Sequence, residues 1–186
     1  MKAHFSTAVR SLVQLAALSG LALGLSGPAH AVDGCKVLLC MAGNWQNIGQ
    51  CTPTVRQALR DAALGRRWPS CSMSGDSDSG NEYVVPEQCP EQYVTNTGHD
   101  ERGQPIYSCP FNGVIHVTVK GRPWSRTWWT PSGDAVIQWL PAARAAFASS
   151  PNAMDDRYDR EHAAWVISEQ ARRAAAAAAA AQGSGG

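Results

Sequence analysis

The fold of this chain is decided by the stretch Asp33-Gly34-Cys35-Lys36-Val37-Leu38-Leu39-Cys40-Met41-Ala42-Gly43 and by the cysteine-bounded segment after it. Asp33 is a favourable cap for a short helix over residues 34–41, whose nearly continuous apolar side chains indicate burial. A second helix is predicted to begin at Thr52-Pro53, because proline suits the first helical turn, and to end at Gly65. Two short helices joined by a loop of about ten residues predict a helical hairpin.

The cysteines extend this hairpin into a disulfide framework. All six follow residue 31, and an even number in an exported chain is typical of disulfides. In an antiparallel hairpin the end of the first helix meets the start of the second, so Cys40 and Cys51 face each other. Cys35 then lies at the far end, where Cys71 arrives. The predicted bridges are Cys40–Cys51, Cys35–Cys71 and Cys89–Cys109. A zinc site is disfavoured, because no cysteine pair has the two-residue gap of a zinc knuckle.

Residues 1–31 are predicted to be a cleavable secretory signal. Lys2 and Arg10 supply its positive region, residues 12–25 are mainly apolar, and Pro28-Ala29-His30-Ala31 resembles a cleavage site. The apolar run is interrupted and shorter than the roughly 20 residues of a membrane span. We therefore expect export, with no membrane span after cleavage and a periplasmic location.

Composition narrows the function classes. Of 186 residues, 16 are Lys or Arg and 15 are Asp or Glu, so the formal net charge is +1. A protein that binds nucleic acid normally presents a basic face, whereas the basic residues of this nearly neutral chain are interspersed with acidic ones. Nucleic-acid binding is therefore not expected. Seven tryptophans and only 17% charged residues are also unlike a disordered chain.

Beyond Glu82 the hydrophobic period changes from helical to alternating. Residues 70–82 are rich in Ser, Gly and Asp and are predicted to form a surface loop. Strands are predicted over 92–95, 106–108, 114–119 and 124–129, with residues 120–123 as a hairpin turn. Residues 135–140 fit either a strand or the start of a helix.

The carboxyl-terminal part is dominated by alanine, the best helix former. A helix is predicted from Asp155 or Asp156 to Ala181, with few large apolar side chains to hold it to a core. We therefore predict a domain over 32–148 and a helical, mobile tail over 149–186. The predicted fold class is α+β: a small disulfide-stabilised domain with an amino-terminal helical hairpin, a short antiparallel sheet and a carboxyl-terminal Ala-rich helix.

The strand over 124–129 contains the candidate partner-binding residues. Side chains alternate along a strand, so Trp124, Arg126 and Trp128 are expected on one face and Trp129 on the other. One interpretation is that a face packs on the helices and Arg126 lies at a rim. The alternative is a contact patch, since Trp and Arg are enriched at interface hot spots. On the second interpretation Trp128 is core and Trp129 is exposed.

Acidic residues offer two weaker site hypotheses. Residues 76–82 together with Glu87 resemble a calcium loop, but Gly80 and Asn81 stand in the reverse of the required order, which favours a solvated loop. Glu82, Glu87 and Glu91 could supply the paired carboxylates of a cell-wall glycosidase. No Gly-x-Ser-x-Gly nucleophile motif occurs, so we expect no catalytic residues, no metal and no cofactor.

The segment from Cys35 to Gly43, followed by Cys51 and a helix leading to Cys71, resembles the amino-terminal signature of the TrbM/KikA family of exported proteins encoded with plasmid conjugation systems. The match covers residues 35–75, with weaker similarity over 124–129. The resemblance implies a non-enzymatic periplasmic accessory of conjugal transfer, with a protein of the mating-pair or type IV secretion apparatus as partner. The alternative function is a cell-wall hydrolase or a secreted inhibitor of one.

Overall fold

The computed structural model describes residues 32–150 and 153–183 of the protein, so the predicted signal over 1–31 lies outside the described residues. The helical hairpin is confirmed. Helix α1 spans Gly34–Met41, and the Asp33 carboxylate accepts hydrogen bonds from the backbone N–H groups of Cys35 (2.9 Å) and Lys36 (3.2 Å). Helix α2 spans Thr52–Ala63 and has proline in its first turn.

The remaining elements form two antiparallel sheets and two further helices. The strands are β1 (Asp78–Tyr83), β2 (Thr95–His99), β3 (Pro105–Ser108), β4 (Gly113–Val119), β5 (Arg122–Trp129) and β6 (Ala135–Trp139). The main sheet has the order β1-β4-β5-β6, and β2 and β3 form a separate ribbon. Helix α3 spans Pro141–Ala146 and helix α4 spans Arg157–Gly183. The α+β fold class predicted from the sequence is therefore confirmed.

Two of the strands differ from the sequence prediction: β1 was not predicted, and β2 begins later than predicted. The loop predicted over 70–82 contains β1, which pairs with β4 along its whole length. Its polar side chains are tolerated because β1 is an edge strand of the sheet. The strand predicted over 92–95 is largely a 3-10 turn, Glu91–Tyr93, and β2 begins at Thr95. Residues 135–139, which the sequence left undecided, are strand β6.

The main sheet is covered on both faces. Its inner face packs on the helical hairpin, and the shared core includes Val37, Met41, Val55, Leu59, Ile115, Trp129 and Ile137. Its outer face carries a second cluster, formed by Cys89, Phe111, Val114, Trp128 and Val136. The segment between β1 and β4 supplies the cover for this outer cluster, because Val84, Tyr93, Val94 and Cys109 pack against it.

Three disulfides fix these layers. Cys35–Cys71 and Cys40–Cys51 tie the hairpin, with Cα–Cα distances of 4.4 Å and 5.4 Å, and Cys89–Cys109 closes the outer layer at 5.8 Å. All three pairs were predicted from the sequence, the first two from the hairpin geometry and Cys89–Cys109 as the remaining pair. Gly34 permits the first of them, because a Cβ there would lie 2.0 Å from the Ser70 carbonyl oxygen.

Helix α4 begins in contact with the domain and ends away from it. Arg157 lies 3.2 Å from the Asp134 carboxylate, and Tyr158 packs against the outer cluster. The Tyr93 hydroxyl donates a hydrogen bond to Glu161. Burial raises the pKa of Tyr93, and the bond to Glu161 raises that pKa further, so the phenol stays protonated as a donor. Residues 174–181, the alanine run, are exposed.

Candidate functional site: an apolar groove beside the first disulfide

Trp128 and Trp129 point to opposite faces of β5, as alternation predicts, but both are buried, at 6% and 0% exposure. Trp129 packs in the inner core, and its indole N–H donates to Asn81 Oδ1 at 2.8 Å. Trp128 packs in the outer cluster against Phe111. The expectation that Trp129 is exposed is therefore wrong, because the hairpin covers one face of β5 and the outer layer covers the other. These two residues do not form a surface patch.

Trp124 leaves the face that it was predicted to share with Arg126 and Trp128. The β4–β5 pairing skips one residue, since Val117 pairs with Ser125 and Thr118 pairs with Pro123. This bulge turns Trp124 toward the inner side, where its indole N–H donates to the Ala42 carbonyl at 2.7 Å. Arg126 remains exposed on the outer side, opposite His116 in β4.

The three glutamates proposed as a carboxylate pair lie on different elements. Glu82 is in β1, where it lies 3.3 Å from His116 Nε2 and accepts a hydrogen bond from Gln88. Glu87 and Glu91 lie in two successive 3-10 turns. Residues 78–83 form a strand, so the side chains of the suggested calcium loop alternate between two faces. Among residues 32–150 and 153–183, no group of three His, Cys, Asp or Glu side chains is placed to hold a metal ion.

Sequence reasoning missed an apolar groove that runs beside helix α1. The groove consists of two neighbouring cavities, of about 350 and 590 Å³, that share Val119. The first cavity is lined mainly by apolar residues of α1 and of the segment between α2 and β1, including Cys35, Leu38, Leu39, Cys71 and Met73. The second cavity lies between the β4–β5 turn and α3, and Trp124 lines it.

Two side chains of the first cavity carry most of its exposed apolar surface. Leu39 is 76% exposed and Met73 is 87% exposed. Single exposed apolar residues are ordinary, but two that line one cavity form a patch of the kind found at interaction sites. The Cys35–Cys71 disulfide joins the helix that bears Leu39 to the loop that bears Met73. The two sides of the cavity are therefore held together covalently.

The second cavity has a basic rim. Lys120 and Gly121 form the β4–β5 turn with positive φ angles of 50° and 70°, which suits a two-residue hairpin turn and confirms the turn predicted there. Lys120 and Arg122 both line the cavity. Across the described ranges neither of them forms an ion pair. The groove is thus apolar along its floor and positively charged at one side.

Comparison of the chain with protein-family models, curated proteins and solved structures finds no match. Within the described part of the chain, no helix has both the length and the hydropathy needed to cross a membrane. The groove and the amino-terminal sequence are the two features from which a function can be proposed.

Proposed function

We propose that the protein is an exported, non-enzymatic accessory of plasmid conjugal transfer that binds a protein of the mating-pair or type IV secretion apparatus through the apolar groove. The observation that carries the proposal is the pair of exposed apolar side chains, Leu39 and Met73, in one disulfide-braced cavity. A soluble domain exposes such a patch at a cost, which binding a partner would offset.

The compartment is supported by two independent features. Residues 1–31 have the pattern of a secretory signal. Three disulfides are typical of proteins that fold in an oxidising compartment, such as the bacterial periplasm. Both features favour a protein that acts after export.

The position of the groove supports the link to conjugal transfer. Residues 35–75, which resemble the TrbM/KikA signature, supply Leu38, Leu39 and Met73 to the first cavity. The weaker resemblance over 124–129 includes Trp124, which lines the second cavity. The two segments that carry the resemblance, distant in sequence, therefore meet at the same surface.

The chemistry of the groove restricts its partner. An apolar floor selects apolar side chains, and methionine adapts its shape to them. Lys120 and Arg122 at the rim favour acidic residues beside that apolar segment, because complementary charge steers association and sets its register. We therefore expect the partner to present an apolar segment flanked by Asp or Glu.

The proposal is tested by replacing groove leucine and methionine with a polar residue of similar size. Leu39→Gln and Met73→Gln should reduce both co-purification of apparatus proteins and the frequency of plasmid transfer, while the melting temperature stays close to that of the unmodified protein. Leu64→Gln is the matched control, because Leu64 is 72% exposed at the end of α2 and does not line the groove. Unchanged co-purification with Leu39→Gln and Met73→Gln would rule out the groove as the binding surface.

A further inference from the structure

A further cavity, outside the groove, lies between α2 and the turn that joins β5 to β6. Its volume is about 350 Å³, and it is separate from the groove in its lining residues. Arg56 and Arg60, one helical turn apart on α2, line it together with Trp45, Gln46 and the turn residues 132–134. It is here called the arginine pocket.

The charge of the arginine pocket is not balanced from within. Across residues 32–150 and 153–183, neither Arg56 nor Arg60 forms an ion pair. Arg60 donates only to the neutral Gln57 side chain, at 2.7 Å. The one carboxylate that lines the pocket, Asp134, already has a cationic partner, since Arg157 lies 3.2 Å away. Like charges one turn apart repel each other, so a bound anion would relieve this repulsion.

One of the lining residues also has a buried donor without an acceptor. Trp45 is 1% exposed, and its indole N–H has no hydrogen-bond partner among the described residues. A buried donor left unpaired destabilises a fold, and such groups are rare in folded proteins. Gln46 is different, because its amide already donates to the Ala135 carbonyl at 2.8 Å. The lining of the pocket thus combines two arginine side chains with a tryptophan whose N–H is unpaired.

We infer that the arginine pocket binds a phosphate group. Guanidinium groups pair with phosphate oxygens through two parallel hydrogen bonds, and the Trp45 indole N–H is a further unpaired donor of a lining residue. The volume is at the lower end of the range for ligand sites, which suits inorganic phosphate or the phosphate of a lipid headgroup. The inference does not depend on the function proposed for the groove, because the two sites share no lining residue.

Calorimetric titration of the oxidised protein with inorganic phosphate tests the inference. Arg56→Gln and Arg60→Gln should each weaken phosphate binding by about tenfold, as expected for the loss of a charge-assisted contact. Arg102→Gln is the matched control, because Arg102 is exposed in the turn between β2 and β3 and does not line the pocket. Absence of phosphate binding, or equal binding by all three variants, would overturn the inference.

Two further measurements sharpen the result. Asp134→Asn should strengthen phosphate binding, because the pocket loses its negative charge while the amide oxygen still accepts the hydrogen bond from the Ala135 N–H. The indole N–H resonance of Trp45, identified by its loss in Trp45→Phe, should shift on titration. A weaker binding by Asp134→Asn together with an unmoved Trp45 resonance would refute the site.

A vesicle experiment identifies the source of the phosphate. Binding to phosphatidylglycerol vesicles, weakened by Arg56→Gln and Arg60→Gln but not by Arg102→Gln, would assign a lipid headgroup to the pocket. Phosphate binding without vesicle binding would assign a soluble phosphate. If the three substitutions weaken vesicle binding equally, that binding is nonspecific. Nonspecific vesicle binding together with no binding of free phosphate would contradict the inference.

Discussion

At the scale of single residues, Trp128 and Trp129 of β5 stabilise the fold and do not form a binding surface. Trp128 and Trp129 are the side chains through which β5 anchors the outer cluster and the inner core, respectively. We predict that Trp128→Ala and Trp129→Ala each lower the free energy of unfolding by about 3 to 5 kcal/mol, the usual cost of truncating a buried aromatic residue. Urea denaturation followed by circular dichroism measures this.

Arg126→Gln serves as the control for that experiment. Its side chain is exposed, so its substitution should change the free energy of unfolding by no more than about 0.5 kcal/mol. Trp129→Ala with the stability of the unmodified protein would show that the inner face of β5 is not covered by the hairpin.

Gly34 allows the backbone of α1 to lie close to the backbone of Ser70, and this close approach permits the Cys35–Cys71 disulfide. The glycine lies in the first turn of α1 against the Ser70 backbone, beside the bridge between Cys35 and Cys71. Gly34→Ala should lower the free energy of unfolding by about 2 kcal/mol or more, because the added methyl group overlaps a carbonyl oxygen that cannot move easily. Thermal unfolding of the oxidised protein measures the change.

Gly49→Ala is the comparison, since a Cβ at that exposed position meets no atom within 4 Å. It should leave stability unchanged or slightly raised, because alanine restricts the unfolded chain. Equal losses in the Gly34 and Gly49 variants would mean that the approach of α1 to Ser70 does not constrain the fold.

The alternation of side chains could predict which face of β5 a residue points to, but not whether other segments bury that face. Alternation correctly assigned Trp128 and Trp129 to opposite faces, yet exposure depends on which segments fold over each face, and those segments are distant in sequence. The displacement of Trp124 follows from a bulge that pairs two residues of one strand with one of the other. Pro123 lies at that bulge and is a local sign of it, because proline cannot donate a hydrogen bond to a neighbouring strand.

At the scale of elements, helix α4 is divided into an anchored start and an exposed end. The contacts of Arg157, Tyr158 and Glu161 lie in its first turns, whereas residues 174–181 are exposed. Truncation after Arg173 should therefore leave the free energy of unfolding unchanged. Truncation after Asp156 should lower it by about 2 kcal/mol, through loss of the buried Tyr158 surface and of the ion pairs.

Differential scanning calorimetry of the two truncated proteins measures this division. A large loss of stability on removal of the alanine run would contradict it, as would full stability without α4. The tail predicted over 149–186 thus contains a segment with a structural role, and that role could not be read from a sequence with so few large apolar residues.

Helices α1, α2 and α4 were predictable to within about two residues because their signals are local, whereas the short helix α3 was not predicted. Asp33 as a cap, proline in the first turn of α2 and Gly65 after its end each act through their immediate neighbours. Strand β1 was missed because its Asp, Gly and Asn residues have low strand propensity, and pairing with β4 overrides that preference. Two disulfide pairs followed from the hairpin geometry, and Cys89–Cys109 followed as the remaining pair.

At the scale of the whole molecule, the candidate site is a product of assembly. The groove joins α1, the loop after Cys71, the β4–β5 turn and α3. Leu39 appears in the sequence as one more apolar residue of a buried helix, and Met73 as a residue of a polar loop. Only the fold brings them into one cavity and leaves both exposed.

The central claim, that the groove binds an apparatus protein, is tested most directly by site-specific photo-crosslinking in cells that carry the conjugation system. A photoreactive residue at position 39 or 73 should cross-link to one protein encoded by that system, identified by mass spectrometry. The same residue at position 64, exposed but outside the groove, should not. Cross-linking to that protein from position 64 alone, or to no apparatus protein from positions 39 and 73, would contradict the account.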